Sequence, residues 1–442
     1  MKNIKLWELQ MLLGMMIFTM PLVAHAELRA GAAKRVITPQ MPVYLAGLSN
    51  NRLSIVAHDP LYARSVVFED EINSSSFLYD GTFSFRKRKS WDGKTRIGLV
   101  SLDLIGLLRR DVQKIQNKLR EAGVETDCTI LTCTHVHSGP DTIGLWGPNA
   151  MTSGVNQDYM EYLQEQIVAC VLEAQRAMQP ASLRLGQVEV PPKGVSHNVR
   201  VPDLIDRTLG LIQFVDAEGN SIANVVNFTA HPEVLWSDSK YITADYVASV
   251  YSRVDSKLGG ITLFINGALG GMVTVDNQSE EGEDKHTFSE AERIGNIVAQ
   301  KAIEAASNAQ EQKSTDIIFR HGAVRVPVEN PGFLTLAEVG ILPKEMFRDG
   351  YVETEVSVIQ MGNAQIATFP GEALPKLGLQ VKSAMTTPYK FVFGLANDEL
   401  GYIIPAEDFS DELYDYERSM SVGSQIGPAT TGKILALLSS IR

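Results

Sequence analysis

The strongest constraint on this chain is where its apolar runs stop. "RIGLVSLD" ends at Asp103, "CTILTCTHVH" at His135 and His137, and "SIANVVNFTAH" at His231. "ITLFIN" runs into the loop "GALGGM", "AQIATFPGE" ends at Glu372, and "KFVFGLAND" leads into "ELGYIIP" with Tyr402. Between such runs lie amphipathic segments: "RDVQKIQNKLREAG", "QDYMEYLQEQIVACVLEAQRAM" and "FSEAERIGNIVAQKAIEAASNAQ". Their apolar residues recur at three- and four-residue spacing, and Gly, Pro or polar capping residues bound them, which predicts helices. Short strands alternating with helices predict an α/β fold: mixed β-sheet layers with flanking helices in one large domain.

Ligands of open α/β sheets bind at the carboxyl ends of strands. Solvated strand ends explain Asp and Glu well. They explain less well why a chain with only eight histidines places two in "THVHSGP" and one in "AHP", each before a tight Pro turn. On a strand, residues two apart face one side, so His135 and His137 would look the same way. Both could approach one ion, or one could bind metal while the other acts on substrate. A carboxylate and a further imidazole from distant strands would complete a tetrahedral zinc site with one position open.

Composition narrows the partners. A formal net charge of −12 argues against nucleic acid, whose phosphates require a basic surface. Lys2 and Lys5, the apolar "MLLGMMIFTMPLVA" and the small residues of "AHA" predict a signal peptide over 1–26, cleaved after Ala26. No later run reaches the roughly 20 apolar residues of a membrane helix, so the expected location is periplasmic or secreted. Cys128, Cys133 and Cys170 are an odd set with no disulfide framework, and they read as small buried hydrophobes. "FRKRKSWDGK" (85–94) and "DNQSEEGEDKHTFSE" (276–290) read as surface insertions, the first as a hairpin with a "DG" turn.

Taken together, these motifs resemble the neutral ceramidase family, of the neutral/alkaline non-lysosomal type. "THVHSGP" is similar to its T-H-T-H-S-G-P, "NFTAHP" to its strand-plus-His-Pro element, "FPGE" to its Pro-Gly-Glu element, and "GLANDELGY" to its G-x-A/S-N-x-x-x-x-Y segment. "RAGAAKRVITP" resembles the first strand, "YERSMS" loosely resembles the later Tyr-Glu segment, and the likeness runs in order from about residue 28 to 430. The resemblance implies one zinc held by His135, His231, Glu372 and Tyr402. It places His137 beside the metal or the substrate. Tyr416 would lie near the substrate, although Tyr414 fits the spacing as well. Arg200, in "HNVRVPD", would face developing negative charge.

Two departures bear on activity. Where the family carries Gly-Asp-x-Ser-Pro-Asn with a nucleophilic Ser, this chain reads "GALGGMVTVD". Gly271 replaces the Asp, Val273 takes the Ser position, and Thr274 lies one place along. The family's C-terminal immunoglobulin-like domain has no counterpart after the Tyr-Glu segment, so 27–442 is expected to be the catalytic domain alone. These departures argue against ceramide itself as substrate. The expected chemistry is hydrolysis of an amide or ester in a small-molecule, lipid or glycan-derived substrate. Zinc-bound water would attack, His137 or Asp245 would carry the proton, and Thr274 is the alternative nucleophile. Asp103 could orient a ligating imidazole or merely cap its strand. The competing expectation is a zinc-containing lipid- or glycan-binding protein that lost catalysis with the serine.

Overall fold

The computed structural model describes residues 28–71, 94–191, 193–279 and 281–441. The expected leader, and all but the last residue of the expected 85–94 hairpin, lie outside them. The first sheet comprises β1 (Arg29–Val36), β2 (Tyr62–Glu71), β3 (Lys94–Leu102) and β4 (Cys128–Cys133), in the order β4-β3-β2-β1. The second comprises β5 (Ser182–Glu189), β6 (Thr208–Val215), β7 (Ser221–Phe228) and β8 (Ile261–Asn266), in the order β8-β7-β6-β5. The third is β9 (Ile317–Pro327), β10 (Tyr351–Met361), β11 (Ala364–Thr368) and β12 (Tyr389–Phe393), in sequence order. Two-residue strands extend the β1 and β5 edges.

Each sheet ends in one parallel pair: β3 with β4, β7 with β8, and β11 with β12. The other neighbours among these twelve strands are antiparallel. The inner faces meet in one apolar core. Phe68, Leu99 and Ile130 come from the first sheet, Phe214, Val225 and Ile265 from the second, and Phe319, Phe391 and Phe393 from the third. Truncating one of these phenylalanines to alanine costs about 3–5 kcal/mol, through lost transfer energy and the cavity left behind.

Helices cover the outer faces. Gln157–Arg176 packs on β1 and β2, Phe288–Ser307 on β5 and β6, and Ile426–Ser439 on β9 and β10. Asn156 and Thr287 cap the first two by accepting from the backbone N–H of Tyr159 and Glu290. The three periodic segments form helices Arg109–Glu121, Gln157–Arg176 and Phe288–Ser307. Further helices form at Tyr246–Leu258, Pro331–Glu338, Pro375–Ala384 and Ile426–Ser439, the last beginning "IGPATTG" with weak helix formers. Among the described residues, no helix is long and apolar enough to cross a membrane. The three cysteines are free, with Cys133 and Cys170 buried and Cys128 partly so, as their spacing predicts.

Candidate metal centre and active site

The three parallel pairs bring their carboxyl ends together. His135 follows β4, His231 follows β7, and Glu372 follows β11. Asn266, the last residue of β8, ties two of these loops. Its Nδ2 donates to Thr134 O at 3.0 Å and Ala230 O at 2.8 Å, while its Oδ1 accepts from Ala230 N at 3.1 Å. Asn397, beyond β12, accepts from Leu131 N at 2.9 Å and so anchors the third sheet to β4.

β4 ends at Cys133, two residues before the first histidine. His135 sits in the left-handed region at φ 66°, so it shares no strand pleat with His137. The expected common strand face is therefore not how the two rings meet: the turn, not the pleat, aims them. His135 N–H donates to Leu104 O at 2.9 Å and its Nδ1 to Ile105 O at 2.7 Å, fixing this strained residue. His231 is held alike: its backbone N–H and its Nδ1 both donate to Val273 O, at 3.0 and 2.7 Å. With each Nδ1 spent on a carbonyl, each Nε2 points inward, where it is the nitrogen left to a metal.

Those nitrogens converge. His231 Nε2 lies 3.2 Å and His135 Nε2 3.5 Å from the same oxygen, Glu372 Oε2. Glu372 pairs in parallel with Tyr402 on two short strands, which sets the phenol beside the carboxylate. One ring nitrogen from each of His135, His137 and His231 lies within 4.8 Å of the others. Neither nitrogen of buried His137 makes a hydrogen bond. Two imidazoles of fixed tautomer, a shared carboxylate, and a third buried imidazole with unsatisfied nitrogens fit a divalent cation of zinc's type.

The electrostatics distinguish the three imidazoles. Burial drives His135 down to about 4 and His137 well below the usual histidine range. Burial also opposes charge on His231, but Glu233 and Glu372 outweigh it and raise the group to about 9. Glu372 is desolvated too, yet His135 and His231 hold it below the ordinary carboxylate value. Tyr402 is pushed well above its usual value, by burial and then by Glu372.

The cluster floors a narrow cleft with about 640 Å³ of open space, its mouth included. Apolar side chains form most of the wall, among them Ile105, Leu108, Ile143, Trp146, Phe333 and Leu342. Tyr416 lines it as well, half exposed, with its ring 5.9 Å from that of Tyr402. Tyr414 instead packs away with Leu374 and Ile404.

No protein family's sequence profile matches the chain, and no curated protein matches it. Solved structures do. The neutral ceramidase from Pseudomonas aeruginosa superposes with a TM-score of 0.75 at 19% identity, over 94% of this chain and 74% of that one. A ceramidase complexed with C2 superposes with a TM-score of 0.74 at 19% identity, over 94% and 75%. The fold is that of neutral ceramidase. Mixed sheets flanked by helices, the layering expected from the sequence, are this ceramidase fold.

Within it, His135, His137, Glu372, Tyr402 and Tyr416 line the cleft, and buried His231 joins them through Glu372. Three other expected site residues have different contacts. Arg200 pairs with buried Glu417, Nε to Oε1 at 2.8 Å and Nη2 to Oε2 at 3.3 Å. Asp245 caps helix Tyr246–Leu258, accepting from Tyr246 N at 2.7 Å and Leu235 N at 3.3 Å, and burial raises it to about 7. Thr274 is part-buried, and its hydroxyl donates to Glu233 Oε1 at 2.5 Å. Asp103 touches no imidazole: it accepts from Tyr62 N at 2.7 Å and Tyr251 OH at 3.0 Å.

Sequence reasoning missed two buried carboxylates. Glu233 is 4% exposed, and its Oε2 lies 3.3 Å from His137 Nδ1. Its signal was its place directly after the His-Pro element. Glu399 lines the cleft with Oε2 unpartnered, and burial, then Glu372, raise it well above the usual value. It lies inside the quoted "NDELGY", and nothing in that string marks it as buried.

Proposed function

We propose that this chain is an exported, zinc-dependent hydrolase of amide or ester bonds, periplasmic or secreted once the leader 1–26 is removed. Its substrate would be a small molecule with an apolar arm, lipid-like or N-acyl, and not ceramide itself. The observation that carries the reading is the convergence of His135 and His231 on one oxygen of Glu372, at the floor of an apolar cleft. His135, His231, Glu372 and Tyr402 would hold the metal, which when bound supplies a Lewis acid and lowers the pKa of water. The Ile105 and Nδ1 contact, and its Val273 counterpart, keep both imidazoles aimed without reorganisation. Ile105, Leu108, Trp146 and Leu342 would take the apolar arm and exclude bulk water, which strengthens every charge at the floor. Water is the favoured nucleophile, because Thr274 already spends its hydroxyl on Glu233 and Val273 is fully buried.

That same observation favours a second reading, a zinc-containing lipid- or glycan-binding protein without turnover, since no serine stands in the family's position. A panel of N-acyl and ester substrates of graded chain length separates the two, with metal measured by elemental analysis. The expected result is one zinc per chain and turnover that a chelator and His231→Ala both abolish. Ligand binding with no turnover supports the binder. A full metal complement in both His231→Ala and Glu372→Ala refutes the ligand assignment.

A further inference from the structure

Among the described residues, Glu233 is the carboxylate that touches both Thr274 and His137. It is buried, at 4% exposure, in the loop that follows β7, two residues after His231. Its Oε1 accepts the Thr274 hydroxyl at 2.5 Å, and its Oε2 lies 3.3 Å from Nδ1 of His137. Thr274 is fixed in turn, because the short strand Val273–Val275 pairs with Ser196–Asn198 and the Val273 carbonyl holds His231. The backbone of His137 is anchored, its N–H donating to Pro232 O at 3.1 Å and its carbonyl accepting from Arg52 Nη1 at 2.9 Å, but its ring is not. Neither ring nitrogen makes a hydrogen bond of good geometry, and its ring lines the cleft. Gly47 presses so close that a Cβ there would lie 2.5 Å from His137 Cγ and 2.6 Å from its Nδ1. The Cγ–Nδ1 edge of the imidazole thus lies beside both a backbone and a carboxylate, the carboxylate within reach of Nδ1 but off the line of its N–H.

We propose that Glu233 is a positioning residue for His137, and that Thr274 serves as the hydroxyl that holds Glu233 in place rather than as a nucleophile. A carboxylate at Nδ1 selects the tautomer that carries its proton there, so Nε2 faces the cleft as an acceptor. Hydrogen bonds that orient a catalytic imidazole are often long before the ligand is bound, so 3.3 Å is compatible with the role. The sequence Thr274–Glu233–His137 then replaces what a free hydroxyl would have done. The threonine is a structural donor, the glutamate orients, and the histidine is the group presented to substrate.

The kinetic arm of the test rests on the hydrolase reading, whereas the spectroscopic arm does not. The full chain would be labelled with 15N-histidine, loaded with zinc, and the His137 tautomer read by long-range 1H–15N correlation, with His137→Gln assigning the signal. The wild type should show a single Nδ1–H tautomer at His137. Glu233→Ala should give a mixture, lower kcat about 100-fold, change KM by less than about threefold, and keep one zinc per chain. Glu233→Gln is nearly isosteric. Its amide oxygen can accept from Nδ1 and its NH2 can donate to Thr274 Oγ1, so it should keep the single tautomer and a kcat within about tenfold of wild type. It also serves if the alanine variant fails to fold. Thr274→Val should cost about tenfold in kcat or less. The inference is overturned if Glu233→Ala leaves the tautomer unmixed, if Glu233→Gln is as mixed as Glu233→Ala, or if zinc is lost in step with kcat. A Thr274→Val protein that keeps its zinc yet is as inactive as His231→Ala overturns it as well. Absence of turnover in every protein would refute the hydrolase reading alone, because the tautomer still reports on Glu233.

Discussion

Arg200 offers a direct contest between what its position in the sequence suggests and what its contacts show. Its guanidinium makes two contacts with Glu417, a carboxylate with no exposed surface, while its own side chain is about a quarter exposed. Truncation to alanine leaves a buried charge unpaired, an event that costs about 3–5 kcal/mol. The partial exposure of Arg200 lets water replace some of what is lost, so the low end, about 3 kcal/mol, applies. Unfolding entropy of about 2 cal/mol/K per residue over roughly 400 residues converts this to a Tm drop of roughly 4 °C. The assay is a double-mutant cycle read by calorimetry: Arg200→Ala, Glu417→Ala and both together. The double variant should be less destabilised than Arg200→Ala alone, because no orphaned charge remains. Tyr416 precedes Glu417, so Arg200→Ala should also raise KM by loosening the cleft mouth. A variant with unchanged Tm, additive single effects and abolished kcat would refute the reasoning. It would return Arg200 to the charge-stabilising role that its place in "HNVRVPD" suggests.

Two further outcomes follow from the same geometry. Gly47→Ala adds a Cβ 2.5 Å from the His137 ring at a backbone φ of +91°, so it should displace the ring and lower kcat at least tenfold while elemental analysis still finds full metal. Asp103 is fully buried, and desolvation raises it from 3.8 to about 7. A carboxyl that binds its proton more tightly when folded contributes stability that is whole below pH 3.8 and lost as pH rises through about 7. Asp103→Asn should therefore flatten the fall in Tm between pH 5 and pH 8, and an unchanged slope would count against the assignment.

The fold and the site were legible to different depths. The strand "ITLFIN" and three long helices were readable because each is periodic, bounded and long enough for local propensity to agree with burial. The histidines were readable as strand-end residues, but the strand itself stops at Cys133, and a left-handed residue between the run and the site carries no signature in a window of apolar residues. That each sheet would close with a parallel pair, and that the three pairs would point at one spot, is a fact of tertiary packing. Sequence lists the ends and leaves their meeting to the core formed by Phe68, Phe214 and Phe391.

The residues with other contacts share one cause. Asp245, Arg200 and Thr274 were read for their chemistry, since each is polar and close in sequence to a motif. A site built on loops needs polar groups to hold those loops as well as polar groups to react, and composition alone does not separate the two uses. Asp245 spends its oxygens on backbone N–H groups of Tyr246 and Leu235. Arg200 spends its nitrogens on Glu417, behind Tyr416. Thr274 spends its hydroxyl on Glu233, behind His137. Each expected actor has its polar atoms engaged by a neighbouring residue. Glu233 and Glu417, which take up two of them, stand beside or inside quoted motifs, but nothing in those strings marks them as supports, because a supporting carboxylate is defined by its partner across space. The loss of a serine at Val273 therefore tells less about activity than it first suggests. On the proposed roles, what decides it is whether Thr274 and Glu233 keep the His137 imidazole aimed at the cleft.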